Sequence, residues 1–163
     1  MLQAMPIFGG IREDILEFIL AEALIIKIRQ GEYFFRENVR GTSMYVLEQG
    51  KVLVTKTWEE HEYVLAEMGK GDCFGEMSLI DLGPRTASVL ALKDCRAIKL
   101  TNVNILKIYQ FDLEQFVMIQ MNMAREVSRR LRHTDEILFQ KFVKDNEITR
   151  KIPPKTNNSG ITQ

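Results

Sequence analysis

Gly71-Asp72-Cys73-Phe74-Gly75-Glu76-Met77-Ser78-Leu79-Ile80-Asp81-Leu82-Gly83-Pro84-Arg85-Thr86-Ala87-Ser88-Val89-Leu90-Ala91 is the stretch on which the reading of this chain turns. Gly71 and Gly75 allow tight backbone turns and the close approach of a ligand. Glu76 to Leu79 is too short for a full helix but long enough for one helical turn. The first N–H groups of such a turn are left unpaired and point one way, which makes a ready anion site. Gly83-Pro84 then breaks the chain, and Thr86 to Leu90 reads as a strand. The segment therefore offers bare N–H groups, one guanidinium, one carboxylate and one hydroxyl. A guanidinium can grip phosphate oxygens bidentately. A carboxylate cannot bind phosphate, but it can accept a hydrogen bond from a sugar hydroxyl. The pair Glu76 and Arg85 points to a ligand with a phosphate next to a ribose; the competing reading is a surface ion pair around a loop.

Outward from this stretch, short apolar runs alternate with turn residues. Leu24 to Ile28, Tyr33–Phe35, Met44–Leu47, Lys51–Thr57, Tyr63–Met68, Thr86–Leu92 and Arg96–Leu100 are separated by Gly31, Asn38, Gly41, Gly50, a polar loop at Glu59-Glu60-His61, Gly69 and Gly71. Many short strands with this punctuation predict a sandwich or barrel. Before them, Ile11 to about Leu24 is helical in period, with Ile15, Ile19 and Ala23 on one stripe and Leu16 and Leu20 beside it. After them the period becomes helical again: a short helix at about Val103–Tyr109, then a long one at about Leu113–Val143. In its second half Ala124, Val127, Leu131, Thr134 and Leu138 recur at 3,4 spacing, flanked by Arg125, Arg129, Arg130 and Arg132, a heptad-like seam. Residues 150–163 carry Pro153-Pro154 and a polar run, and disorder is expected there.

The whole composition narrows the function classes. The 163 residues suit one domain with a real core, and 45% of them are apolar. Lys plus Arg and Asp plus Glu number 22 each, so the net charge is zero. That argues against nucleic-acid binding by this chain alone, which favours a basic face and a high pI. Cys73 and Cys95 make neither a metal motif nor a disulfide framework and are expected to fill apolar strand positions in a reducing cytoplasm. No signal pattern opens the chain, and the apolar stretch near Ile15–Ile26 is interrupted by Glu17 and Glu22, so no membrane span is expected. His61 and His133 stand alone and are expected to be solvated surface residues. No general base or metal set stands near the glycine-rich stretch, so an enzyme is not expected.

The order Phe74-Gly75-Glu76, a small residue and Leu79, then Pro84-Arg85-Thr86-Ala87-Ser88-Val89, closely resembles the phosphate-binding cassette of the cyclic-nucleotide-binding domain family. That family includes bacterial catabolite activators, regulatory subunits of cyclic-AMP-dependent kinase and cyclic-nucleotide-gated channels. Met44-Tyr45-Val46-Leu47 leading to Gly50-Lys51-Val52-Leu53-Val54 also resembles the family pattern, and the likeness runs from about Ile7 to about Asp135. It implies a mainly β, α+β fold: a jelly-roll barrel of about eight strands, with an N-terminal helix and C-terminal helices that include a long dimerisation-type helix. The expected domain is residues 1–143, with the barrel at about 24–101, the helices at about 102–143, and a disordered tail over 144–163.

The resemblance also implies roles. Gly75 and the N–H groups of the turn at Met77, Ser78 and Leu79 would cradle a phosphate. Arg85 would pair with its exocyclic oxygens, Thr86 would add a hydroxyl and Ala87 a backbone N–H, and Glu76 would accept from the ribose 2′-hydroxyl. Val54 and Leu65 resemble the apolar wall of the base pocket. Arg130 would close on Glu76 or the phosphate, Thr134 would meet the base edge, and Asp135 would reach it from a partner subunit, although it stands where the activators have a serine. The implied function is a cyclic-nucleotide sensor, for cyclic AMP with cyclic GMP as the alternative, with no cofactor. It would be a homodimer through the long helix, its output an effector protein acted on in trans. After Phe142 only 21 residues remain, too few for a helix-turn-helix domain. The other readings are an interaction module of this fold with an empty pocket, the input half of a longer transcriptional regulator, and a haem or iron–sulfur sensor of the same superfamily.

Overall fold

The structure, a computed structural model, describes residues 2–145. Two 3-10 turns, Leu2–Ala4 and Pro6–Phe8, lead into helix α1 (Glu13–Glu22). Strands β1 (Leu24–Ile28), β2 (Tyr33–Phe35), β3 (Ser43–Gln49), β4 (Val52–Trp58), β5 (His61–Met68) and β6 (Cys73–Phe74) follow. A single-turn helix α2 (Met77–Ile80), strands β7 (Ser88–Ala91) and β8 (Cys95–Thr101), and helices α3 (Asn102–Phe111) and α4 (Leu113–Asp145) complete the described chain. Two compact units divide it, Met1–Ser128 and a second that begins at Arg129.

The eight strands form two four-stranded sheets in the orders β1-β8-β3-β6 and β2-β7-β4-β5, all pairs antiparallel. This is the expected mainly β jelly-roll architecture. Strand β3 shows why the first sheet is central. Ser43 to Leu47 are all buried. Successive side chains point to opposite faces of a strand, and both faces of this one are covered. Met44 and Val46 join Ile98 and Leu100 in a core packed with Ile7, Phe8, Ile11, Ile15, Ile19, Ile108, Ile119 and Met123 from the helices and the N-terminal turns. Tyr45 and Leu47 face the barrel interior with Val52, Phe74, Val89 and Ala97. A run without alternation is what a strand buried on both sides requires. Each fully buried aliphatic side chain contributes about 1.5–3 kcal/mol relative to exposure.

The second sheet contributes Val52 and Val89 to the barrel interior. On its other face Thr55 Oγ1 donates to Glu62 Oε1 at 2.6 Å and the Tyr33 hydroxyl reaches the same carboxylate at 3.2 Å. Lys51 pairs with Glu67 at 2.5 Å. Strand β5 lies at the edge of this sheet and is exposed along nearly all its length.

Local chemistry sets the element ends. Helix α1 begins with Glu13 and Asp14 in its first turn, where acids suit the helix dipole. Arg12 anchors that start: its N–H donates to Gln115 Oε1 at 2.8 Å and its guanidinium pairs with Asp14 and Asp112. Ala23 leaves the expected helical stripe, its ψ of 154° already extended toward β1. Thr101 and Asn104 form a reciprocal capping box at the start of α3. Expected strand Thr86–Leu92 is shorter than anticipated, because the Thr57 N–H is taken by Glu37 Oε2 at 3.1 Å and the pairing of β4 with β7 stops at Thr55↔Ser88. Helix α4 continues through Lys144 and Asp145, since no Gly or Pro interrupts Phe142-Val143-Lys144; the rest of the expected tail lies outside the described residues. Both cysteines are buried and unbridged. Burial pushes the Cys95 thiol up, and its sulfur lies 3.1 Å from the Lys93 carbonyl.

Candidate functional site

The glycine-rich stretch folds as a turn, one helical turn and a return loop. Gly75 has a φ of +79°, a conformation that L side chains rarely adopt. Glu76 follows in helical geometry, and α2 starts at Met77, one residue later than the sequence suggests. The Leu79 N–H donates to the Glu76 carbonyl at 2.9 Å and that of Ile80 to the same oxygen at 3.1 Å. The amides of Met77 and Ser78 therefore precede the first internal bond, and they are the ones such a short turn leaves pointing forward. Leu79 drops out of the expected cradle. After α2 the chain returns through Leu82, at φ +57°, and Gly83, whose N–H donates to Asp81 Oδ1 at 2.8 Å.

Arg85 is the centre of the arrangement and is 4% exposed. Its backbone is strapped to the loop between β2 and β3: the Asn38 N–H donates to the Arg85 carbonyl at 2.8 Å, and the Arg85 N–H donates to Val39 O at 2.9 Å. A single bridge, Arg40↔Pro84, extends the strap. The guanidinium turns inward under Gly75. Its Nη1 donates to the Gly75 carbonyl at 2.8 Å, and its Nη2 to the Ser43 carbonyl at 2.6 Å and to Ser43 Oγ at 3.3 Å. The Ser43 hydroxyl in turn reaches the Tyr45 hydroxyl at 3.3 Å. The carbon of the guanidinium sits 3.9 Å above the centroid of the Phe35 ring. A Cβ at Gly41 would come within 2.4 Å of Arg85 Nε, and one at Gly75 within 2.5 Å of Nη1, so both glycines make room for this side chain.

Glu76 is also buried, at 2% exposure, and its negative charge acts on Arg85. Burial lowers the Arg85 pKa, while Tyr45 and Glu76 act in the opposite sense. The structure thus brings Gly75, Glu76 and Arg85 together, and Ser78 and Ala87 are buried. A guanidinium has five N–H donors, and the three acceptors at Gly75 and Ser43 do not exhaust them. Thr86 is exposed, its hydroxyl 3.8 Å from the sulfur of Met77, which is itself 41% exposed.

The apolar wall is split. Val54 is half-buried against the barrel interior and lies opposite Ala66. Leu65 is the extra residue of a β-bulge, between the pairs Val54↔Ala66 and Thr55↔Val64, and is 57% exposed. Arg130, Thr134 and Asp135 belong to the second unit. There Thr134 and Asp135 are exposed, and Thr134 Oγ1 donates to the Arg130 carbonyl at 3.0 Å. The residues that sequence reasoning missed are Phe35, Gly41 and Ser43. They lie 42 to 50 positions before Arg85, and no local signal ties them to it.

Comparison with known proteins fits this geometry. The model of the family described as "Cyclic nucleotide-binding domain" matches residues 25–112. The chain is 30% identical over 135 residues to the Cyclic AMP receptor protein of Thermus thermophilus, covering 82% of this chain and 61% of that one. It therefore spans about three-fifths of the length of that relative. Among solved structures, the regulatory domain of Toxoplasma gondii PKA in co-crystals with cAMP superposes with a TM-score of 0.61 at 26% identity, over 66% of this chain and 41% of that one. A cyclic nucleotide-binding domain from Methylobacillus flagellatus shares the fold, with a TM-score of 0.78 at 18% identity over 93% of this chain and 83% of that one. With the cassette between Gly75 and Ala87 inside the matched residues, the chain belongs to the cyclic nucleotide-binding domain family.

Proposed function

We propose that this protein is a cyclic-nucleotide sensor, with residues 1–143 as its working domain. The observation that carries this reading is the co-burial of Glu76 and Arg85 beside Gly75, at 2% and 4% exposure. Burying two ionisable groups is costly, and their retention at the rim of a short anion-binding turn suits a ligand that engages both. The phosphate would sit on Gly75, Met77 and Ser78, held by Arg85, with Thr86 and the Ala87 N–H at its edge. Glu76 would accept from the ribose 2′-hydroxyl, which a cyclic 3′,5′-phosphate leaves free. Val54 and Leu65 would line the base.

The base itself would be read from α4. The Thr134 hydroxyl already donates to the Arg130 carbonyl, so toward a ligand it serves best as an acceptor. At the six-position of the base the N6 amine of adenine donates where O6 of guanine accepts, so a hydroxyl that meets that position favours cyclic AMP. Arg130 and Asp135 would add contacts made only when α4 closes, and the ligand would shift the population toward that state by the difference in affinity they supply. The exposed side chains of Leu131, Ile137, Leu138 and Phe139 suit burial against a second copy, giving a cytoplasmic homodimer that signals to an effector protein. An arrangement as the input half of a longer regulator suits the partial coverage of the receptor protein. No helix among the described residues is long and apolar enough to cross a membrane.

Calorimetric titration with cyclic AMP and cyclic GMP, with mass measured by light scattering alongside, tests the reading. We expect saturable heat with both, tighter for cyclic AMP, and a dimeric mass. Absence of heat with either nucleotide would overturn the sensor assignment.

A further inference from the structure

Arg85 is held more completely than a ligand-gripping side chain on a loop needs to be, and apart from the Gly75 carbonyl the holding groups come from outside the cassette. Stacking on Phe35 at 3.9 Å fixes the plane of the guanidinium. Acceptors at two different nitrogens, Gly75 O on Nη1 and Ser43 O and Oγ on Nη2, then fix its rotation within that plane. The Phe35 ring is itself immobilised by packing against Tyr45 at 5.8 Å and Phe74 at 6.2 Å. Gly41 and Gly75 leave the space that this orientation occupies. With plane and rotation both fixed, the remaining donor edge has one direction.

We propose that Phe35 and Ser43 are positioning residues that aim the Arg85 fork, and that their socket decides which of the two exocyclic oxygens of a bound cyclic phosphate the fork grips. The inference rests on the sensor reading above and goes beyond it: Phe35 and Ser43 touch Arg85 and would act on a ligand through it. Burial lowers the pKa of this cation, and a ring face against a cation offsets part of such a cost. A socket that merely stabilised the fold would leave the choice between oxygens unaffected.

The test uses the full chain and the two phosphorothioate diastereomers of cyclic AMP, in each of which sulfur replaces one exocyclic oxygen. Titrating the parent first with cyclic AMP separates the two claims: a parent that does not bind it fails the sensor reading and takes this inference with it. Given binding, the parent should prefer one diastereomer. In Phe35→Leu the ratio of the two dissociation constants should fall by about threefold or more, the size expected for a lost cation–π contact. Ser43→Ala should reduce it less, since the carbonyl remains, and Phe35→Tyr should preserve it. These two variants keep the test decisive if Phe35→Leu does not fold. The proposal is overturned if the parent does not discriminate, if the ratio is unchanged in Phe35→Leu or, should that variant not fold, in Ser43→Ala, or if Phe35→Leu binds cyclic AMP more tightly. That last result would mean the socket draws Arg85 away from the ligand.

Discussion

The surroundings of Arg85 and the distal part of α4 are opposite solutions to presenting a cation or a hydroxyl. Arg85 is buried, stacked on an aromatic ring and bonded to carbonyls from two other segments. Thr134 is exposed and spends its proton on its own helix. The first region is held by its own protein partners, so a ligand gripped there would order little. In the second, Leu131, Thr134, Asp135, Leu138 and Phe139 are exposed. A sensor needs both kinds. In the reading proposed above, a fixed recognition site would supply affinity, and an exposed helix would supply an equilibrium for the ligand to shift.

The contrast predicts that damage to the socket is felt in stability and affinity together, whereas damage to distal α4 is felt in affinity alone. The largest effect should come from Arg85→Ala. It removes the cation proposed to hold the phosphate and should weaken cyclic AMP binding by roughly 3–5 kcal/mol, by analogy with breaking a desolvated charge pair. Calorimetry showing parental affinity in this variant would discard the site assignment. Next in size is Gly75→Ala. The new Cβ would meet Arg85 Nη1 at 2.5 Å and the Ser43 carbonyl at 3.2 Å, on a backbone at φ +79°. Overpacking of this kind costs about 1–3 kcal/mol, so the urea midpoint should drop along with nucleotide affinity. A loss of affinity with an unchanged midpoint would show that the socket is not part of the packed fold. The smallest effect is expected for Thr134→Val, which keeps the shape and removes the hydroxyl. Affinity for cyclic AMP should fall by about 0.5–1.5 kcal/mol, the worth of one hydrogen bond, with the thermal midpoint unmoved. If cyclic GMP loses as much, the base-reading role of Thr134 is wrong.

Much of the fold could be read from the linear chain because the deciding signals are local. Gly31, Gly41, Gly50 and Gly71 separate the apolar runs, and each run became a strand to within a few residues. The helical period after Asn102 became α3 and α4. Phe74-Gly75-Glu76 and Pro84-Arg85-Thr86 are likewise contiguous, so the turn, the helical turn and the return loop were legible together. The short strand β7 was not, because what ends it is Glu37, nearly 50 residues earlier in the chain, taking the Thr57 N–H. Leu65 was not either: a bulge shifts register without leaving a pattern in composition, and here it leaves Leu65 out of register with Val54.

What neighbours along the chain can specify is backbone conformation: where a glycine permits a turn, where branched residues favour a strand, where a 3,4 spacing makes one helix face. Those features needed no folded molecule to be named, and they include Glu76 and Arg85 as the chemistry of the site. Folding alone established that β3 is buried on both faces, that Arg85 points under Gly75, and that Phe35 and Ser43 form its socket. The reason is physical. A contact across 42 residues is set by how two sheets and four helices share a limited interior, and that competition for space leaves no trace in any short window of residues.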